Sequence, residues 1–413
     1  MENYRSQVTL QGCLIVLVGA LYCLFQIFLQ ASPAFMVNEL ISDLSLTRTQ
    51  AGLLGSSLLY SYVLMQIPAG WLVEKWGVRW SFLAGVGLLC LGSVVAARAT
   101  GIEFAIVGRL ITGVGSSAAI VGSFCLLNNW FPRSWFALGV GFIEMMAMLG
   151  GALCGLIVPG MVTEFGWRET MNMSAVIGGI LLILVALVVY DRPSGVVDLA
   201  KSEDQPARGG ATAMFSSLNF WMSAFFGLCI FGLVNAFGMM WGVPYLQCLY
   251  PDCGDFAAQG ISLLFIGVAI GTVTSGWLVS FWGSLRNCMI AGALTALLLL
   301  LAILYLPVSL MVMAILLFLF GLTLGCYGLA FVSSKRALGT SGLGIAMAFI
   351  NACMLFSGQV LQPLLGHILD NRTMNAASLT LADYQIAFLP LVLMAGLAVI
   401  ASLFLKEARE CTP

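Results

Sequence analysis

Two charged residues stand inside long apolar runs and define the chemistry open to this chain: Arg109 within 101–129 and Glu144 within 135–162. An arginine at membrane depth can meet a carboxylate, and a glutamate there can carry a proton or meet an amine. Softer signals accompany them. Tyr22, Gln26 and Gln30 recur at intervals of four, the spacing of one helix face. Asn235, Gly238, Trp241 and Tyr245 do much the same. The plainer reading of such polar groups is hydrogen bonding between helices, and it is the one expected for Asn351, Gln359 and Gln362. Arg109 and Glu144 could likewise be a closed ion pair that fixes two helices. Arg109 lies eight residues from Gly101 and Glu144 nine from Trp135, about 12 and 13.5 Å along their helices. In a core about 30 Å thick they differ in depth by only about 4–5 Å, so the two are expected to interact.

Metal and cofactor chemistry have no comparable foothold. The single histidine, His367, precedes Ile-Leu-Asp370 at a helix end, and no Cys/His set has zinc-ligand spacing. Most of the cysteines, among them Cys13, Cys90, Cys125, Cys229 and Cys353, lie in apolar runs and read as small packing residues. Cys248 and Cys253 flank Leu-Tyr-Pro-Asp outside those runs. An oxidising compartment permits a bridge there if the Cα atoms come within about 7 Å.

The elements that must position these groups are membrane helices. Hydrophobic residues make up 61% of the 413-residue chain and charged residues 8%, against roughly a quarter charged in a soluble domain. So few charges cannot clothe a water-facing surface, and a net charge of −1 argues against nucleic acid as a partner. Spans of about 20 apolar residues fall near 10–36, 48–73, 79–97, 101–129, 135–162 and 170–190. A second set falls near 217–246, 257–282, 287–306, 309–333, 341–369 and 382–405. The expected fold is an all-α membrane protein of twelve transmembrane helices. Its domains are an N-terminal six-helix bundle (1–190), a polar linker (191–213) and a C-terminal bundle (214–413).

Orientation follows from Lys and Arg. With both termini in the cytoplasm, that side receives Arg5, Lys75, Arg79, Arg133, Arg192, Lys201, Arg208, Arg286, Lys335, Arg336, Lys406 and Arg409. The opposite side receives Arg48, Arg98, Arg168 and Arg372. That imbalance predicts a multi-pass protein of the inner membrane with N- and C-termini and linker cytoplasmic.

The two halves repeat. Gly70-Trp-Leu-Val-Glu74-Lys75-Trp76-Gly77-Val78-Arg79 has its counterpart in Gly276-Trp-Leu-Val-Ser280-Phe281-Trp282-Gly283-Ser284-Leu285-Arg286. Duplicated halves with a site between them are a recurrent transporter plan. On these residues, and on Arg109, Gly113 and Gly115 in an R-x-x-x-G-x-G pattern, the chain resembles the major facilitator superfamily. It departs from the family's loop motif in carrying Glu74 for Asp and Val78 for an Arg. The resemblance implies two pseudo-symmetric bundles with helices one, four, seven and ten lining a cavity. It also implies a loop that clasps the two halves together in the outward-facing state. Gly70 and Gly77 would permit close approach there, and Glu74 and Arg79 a charge-assisted hydrogen bond.

Within that superfamily, Phe25 to Met36, Tyr60-Ser-Tyr62 and Gln66-Ile-Pro68-Ala-Gly70 resemble the phagosomal-transporter group of bacterial amino-acid importers, with Gln30 where relatives often carry Arg. Gly151 and Gly155 keep an exporter spacing, but Leu156 replaces its Pro. The expected function is therefore proton-coupled import of a small polar metabolite, an amino acid or short peptide, by a monomer in the lipid bilayer. Arg109, Glu144, Tyr22, Gln26, Gln30, Asn235, Trp241 and Tyr245 would form the substrate and proton site. The alternatives are an organic-anion transporter, for a polycarboxylate or siderophore in either direction, and a transport-dead receptor on the same fold.

Overall fold

The computed structural model describes residues 9–132, 135–191, 216–338, 343–373 and 379–405. Most of the predicted linker lies outside these residues, as do many of the cationic residues that set the predicted orientation. Among the described residues every regular element is helical. Ten stretches are long and apolar enough to cross a bilayer, and one of them, Leu138–Val188, bends at Gly166 and so supplies two rods. Arg48–Trp76, 29 residues long but more polar, completes twelve.

The rods are α1 (Leu10–Ala31, prolonged by the tight turn Ser32–Phe35), α2 (Arg48–Trp76), α3 (Val78–Ala97), α4 (Ile102–Trp130), α5 (136–165) and α6 (167–188). The second half holds α7 (Leu218–Leu249), α8 (Gly254–Trp282), α9 (Leu285–Tyr305), α10 (310–338), α11 (Leu343–Thr373) and α12 (Leu381–Phe404). A short surface helix, Val37–Asp43, joins α1 to α2. Three rods of the second half are interrupted where a continuous helix was expected. α7 widens into a π segment at Val234–Trp241, α10 tightens at Gly325–Gly328, and α12 breaks at Phe388. Such breaks are tolerated at membrane depth where protein surrounds the backbone.

Local chemistry sets the rod ends. Thr47 caps α2 with a capping box, accepting from Gln50 N while Gln50 returns a bond to Thr47 N. Ser284 caps α9 by accepting from Asn287 N at 3.2 Å. Gly77, at φ +84°, turns the chain between α2 and α3 in a conformation that suits glycine. Inside the first bundle α2 and α4 pack backbone to backbone. A Cβ at Gly113 would overlap the Leu58 carbonyl and the Ser61 hydroxyl, the kind of contact small residues allow in lipid. Cys248 and Cys253 are both free thiols, with Cys248 Sγ directed at the Leu379 carbonyl.

The halves meet mainly through α2 with α11, α5 with α8, and α1 with α7. Hydrogen bonds between them include Asn38 to Gln247 (2.8 Å), Tyr60 to the Gln359 carbonyl (3.1 Å) and Gln359 to the Leu59 carbonyl (2.9 Å). These run from the end where α1 finishes and α2 begins, the outer end in the predicted orientation, to mid-depth.

Candidate functional site

Arg109 is buried on α4 and clamps two other helices. Its guanidinium donates to the carbonyls of Leu29 (2.6 Å), Gln30 (3.2 Å) and Gly55 (3.1 Å). The sequence explains why α1 offers an acceptor there. Pro33 stands four residues after Leu29 and has no N–H, so the Leu29 carbonyl lacks its helical donor. Ser32 Oγ shares it at 2.9 Å. Arg109 Nε is buried without a partner.

Glu144 makes a different contact. Its carboxylate accepts from the Tyr327 hydroxyl at 3.0 Å, and Tyr327 belongs to the tight turn of α10 in the opposite half. The Phe231 ring sets the tyrosine edge-on at 4.9 Å between centroids. No Arg109–Glu144 ion pair forms, which corrects the expectation drawn from their depth. Matching depth left the direction of each side chain around its helix undetermined. Tyr327 was missed by the sequence reasoning, although its place in Gly325-Cys-Tyr-Gly328 on a cavity-lining helix was a usable signal.

A chain of amides crosses between the halves near Arg109. Gln26 donates to Gln30 (3.0 Å), and Gln30 donates to Asn235 Oδ1 (3.3 Å) and Met239 Sδ (2.9 Å). Asn235 in turn donates to the Met354 carbonyl and to Ser357 Oγ, both at 3.3 Å. Gln362 donates to the Asn235 carbonyl at 2.9 Å, while its own Oε1 is buried without a partner. The π segment carries both Asn235 and Met239, and such wide turns often sit at functional sites.

Three residues of the expected site point elsewhere. Tyr22 leaves the Gln26–Gln30 face, donates to the Gly115 carbonyl and packs edge-on against Phe82 inside the first bundle. Trp241 donates to the Gln362 carbonyl at 2.9 Å and is buried. Tyr245 donates to the Ile303 carbonyl at 2.8 Å among Phe237, Tyr384 and Phe388. In this state they are packing residues of the bundles.

In the loop between α2 and α3 one expected contact is missing. Arg79 does not bond Glu74, which is exposed. It donates to the Ala186 carbonyl (2.6 Å), lies over the Tyr190 ring (4.9 Å), and its N–H reaches Asp191 (2.8 Å). Asn129 and Trp130 of α4 add bonds to the carbonyls of Asp191 and Tyr190. A Cβ at Gly77 would overlap the Asp191 carboxylate, whereas Gly70 faces open space. The loop therefore fastens α3, α4 and α6 within one half. The second half repeats the device: Arg286 at the start of α9 donates to the Leu403 carbonyl at the end of α12 (2.8 Å). Each arginine satisfies a terminal helix carbonyl and opposes the negative end of that helix.

At the end of the bundle where α1 finishes and α2 begins, Asp43 accepts from Arg168 and from Trp167 Nε1 (3.0 Å). Both bonds, Arg168's the stronger influence, hold its carboxyl below the usual carboxylate range. His367 contacts Asn371 at 3.1 Å near the same end. Among the described residues no group of three His, Cys, Asp or Glu side chains could hold a metal ion.

Comparison with known proteins agrees with this architecture. A hexuronate transporter of Bacillus subtilis is 24% identical over 246 residues, 57% of each chain. A probable sulfoacetate transporter of Cupriavidus necator is 26% identical over 151 residues, covering 37% of this chain and 35% of that one. A putative multidrug resistance protein of Yersinia pestis is 26% identical over 169 residues, 39% of this chain and 36% of its own. The chain thus spans between about a third and just over half of the length of these relatives. A bacterial homologue of the human lysosomal transporter Spinster, in an inward-facing unoccupied conformation, superposes with TM-score 0.78 at 16% identity, covering 98% of this chain and 100% of that one. A D-xylose–proton symporter superposes with TM-score 0.74 at 16% identity, covering 96% and 97%. Those superpositions establish the fold, and the profile of the Major Facilitator Superfamily matches residues 15–363. The chain belongs to the Major Facilitator Superfamily.

Proposed function

We propose that this chain carries a small organic anion across the inner membrane by alternating access, coupled to a proton through Glu144. One observation carries the reading: the two intramembrane charges are satisfied by neutral groups and not by each other. Arg109 meets three carbonyls, so its positive charge has no carboxylate to cancel it and favours an anionic solute nearby. Glu144 meets a tyrosine hydroxyl, so no bound cation holds it ionised, and it can take up and release a proton. Because Tyr327 lies in the opposite half, their bond is remade whenever the halves rock. Gln26, Gln30 and Asn235 supply neutral amides for the polar parts of the solute. The names of the hexuronate and sulfoacetate transporters favour an organic anion over the amino acid expected from sequence. An amino acid or short peptide is the second reading, since separated Arg109 and Glu144 could meet its carboxylate and amine. With the outer ends packed together, the state described is inward-facing.

The test uses proteoliposomes containing a pH-sensitive dye. Glucuronate, citrate and neutral amino acids are offered in turn, to wild type and to Glu144→Gln. Organic anions should drive proton movement in wild type, while the variant should exchange labelled against unlabelled substrate without moving protons. Proton movement with amino acids alone would favour the second reading, and undiminished proton movement in the variant would remove Glu144 from the mechanism.

A further inference from the structure

The first turn of α2 has four backbone N–H groups that its own helix cannot satisfy. Two are met locally: Thr47 N by Gln50 Oε1 (2.9 Å) and Gln50 N by Thr47 Oγ1 (3.1 Å). The other two are met by the opposite half of the protein. Arg48 N donates to Asp370 Oδ1 at 2.9 Å and Thr49 N to Asp370 Oδ2 at 2.7 Å. The Thr49 hydroxyl donates to the same oxygen at 2.5 Å, and the Arg48 guanidinium lies 4.0 Å from the carboxylate. A carboxylate at a helix N-terminus also gains from the positive end of the helix dipole.

We propose that Asp370 is the outer gate residue of the transport cycle, a cap for α2 that is present only while the outer ends of the two halves are together. The inference rests on the alternating-access reading above. Two neighbouring contacts bring the backbones close enough for this cap. A Cβ at Gly366 would overlap the Arg48 carbonyl, and one at Gly52 would overlap the Gln362 carbonyl. Opening the outer end removes Asp370 from both N–H groups at once and leaves them to water. The closed outer state is favoured by the difference. Asp370 acts through the position of α2 and touches no substrate. Its removal shifts the balance of the two facing states toward the outward one.

Hydrogen–deuterium exchange of the full-length protein in nanodiscs tests this without a known substrate. Asp370→Asn should speed exchange about five- to tenfold in the first two turns of α2 and around Asn38 and Gln247, the size of effect typical of a lost helix cap. Exchange should slow at the inner ends of α4 and α10, which come together as the outer ends part. A merely structural cap would fray α2 alone, so faster exchange confined to its first turn overturns the proposal. If Asp370→Asn does not fold, Thr49→Val, which removes only the hydroxyl donor, should show the same two-ended change at smaller size. No change in that variant, or fraying of α2 alone, likewise overturns it. Because the readout reports the gate and not the solute, it can fail while the organic-anion reading stands, and the reverse.

Discussion

Replacing Arg109 should separate two quantities that usually move together. Lysine keeps the charge but presents a point donor in place of a planar fork, so it can satisfy about one of the three carbonyls at Leu29, Gln30 and Gly55. At about 1.5–3 kcal/mol for each hydrogen bond to a charged group, losing two of them destabilises the fold by about 3–6 kcal/mol. Glutamine loses all three charged bonds, but it also relieves the desolvation of a buried cation, which is several kcal/mol. The net loss for Arg109→Gln is then about 2 kcal/mol. The stability order is wild type, then Gln, then Lys, the reverse of what charge conservation suggests. Transport should rank the two variants the other way, Lys above Gln and both below wild type, because only Lys preserves a cation beside the solute. Unfolding curves of the detergent-solubilised protein and uptake of whichever solute the proteoliposome assay selects would measure the two. If Arg109→Lys is as stable as wild type, the carbonyl contacts are not what holds α1, α2 and α4 together. If both measures rank the variants in one order, the division between anchoring and binding is wrong.

Two further outcomes are expected. Gly113→Ala should abolish or sharply reduce folded protein in a detergent-extraction assay, because its Cβ would enter backbone and hydroxyl atoms of α2, while Gly70→Ala should leave the yield unchanged because nothing lies within 4 Å. The lowered carboxyl pKa of Asp43 makes its contribution to stability present above the unfolded carboxylate value of 3.8, and lost as pH falls through the folded value below it. Acid unfolding curves should show that loss in wild type and a flatter profile in Asp43→Asn, and identical profiles would refute the role of the Arg168 and Trp167 bonds.

Helix number, the division into halves and the glycine turns were legible because hydropathy and backbone preference are local properties. Twelve rods follow from the length of apolar runs against bilayer thickness, and Gly77 and Gly283, at φ +84° and +68°, mark the same turn in each half. The partners of the buried polar groups were not legible. A helix turns about 100° per residue, so residues four apart drift by about 40° and residues eight apart by about 80°. That drift takes Tyr22 to the Gly115 carbonyl inside its own bundle and leaves Gln30 facing Asn235 across the interface. Depth along the membrane, which rise per residue does give, placed Arg109 and Glu144 at similar levels but could not say where around α4 and α5 they point. Tertiary packing decided that: Pro33 frees a carbonyl that draws Arg109 to α1, while the tight turn of α10 brings Tyr327 to Glu144. Sequence fixes how far along its helix a side chain stands, and only the packed bundle fixes which neighbour it meets, because that depends on the rotation of every helix about its own axis.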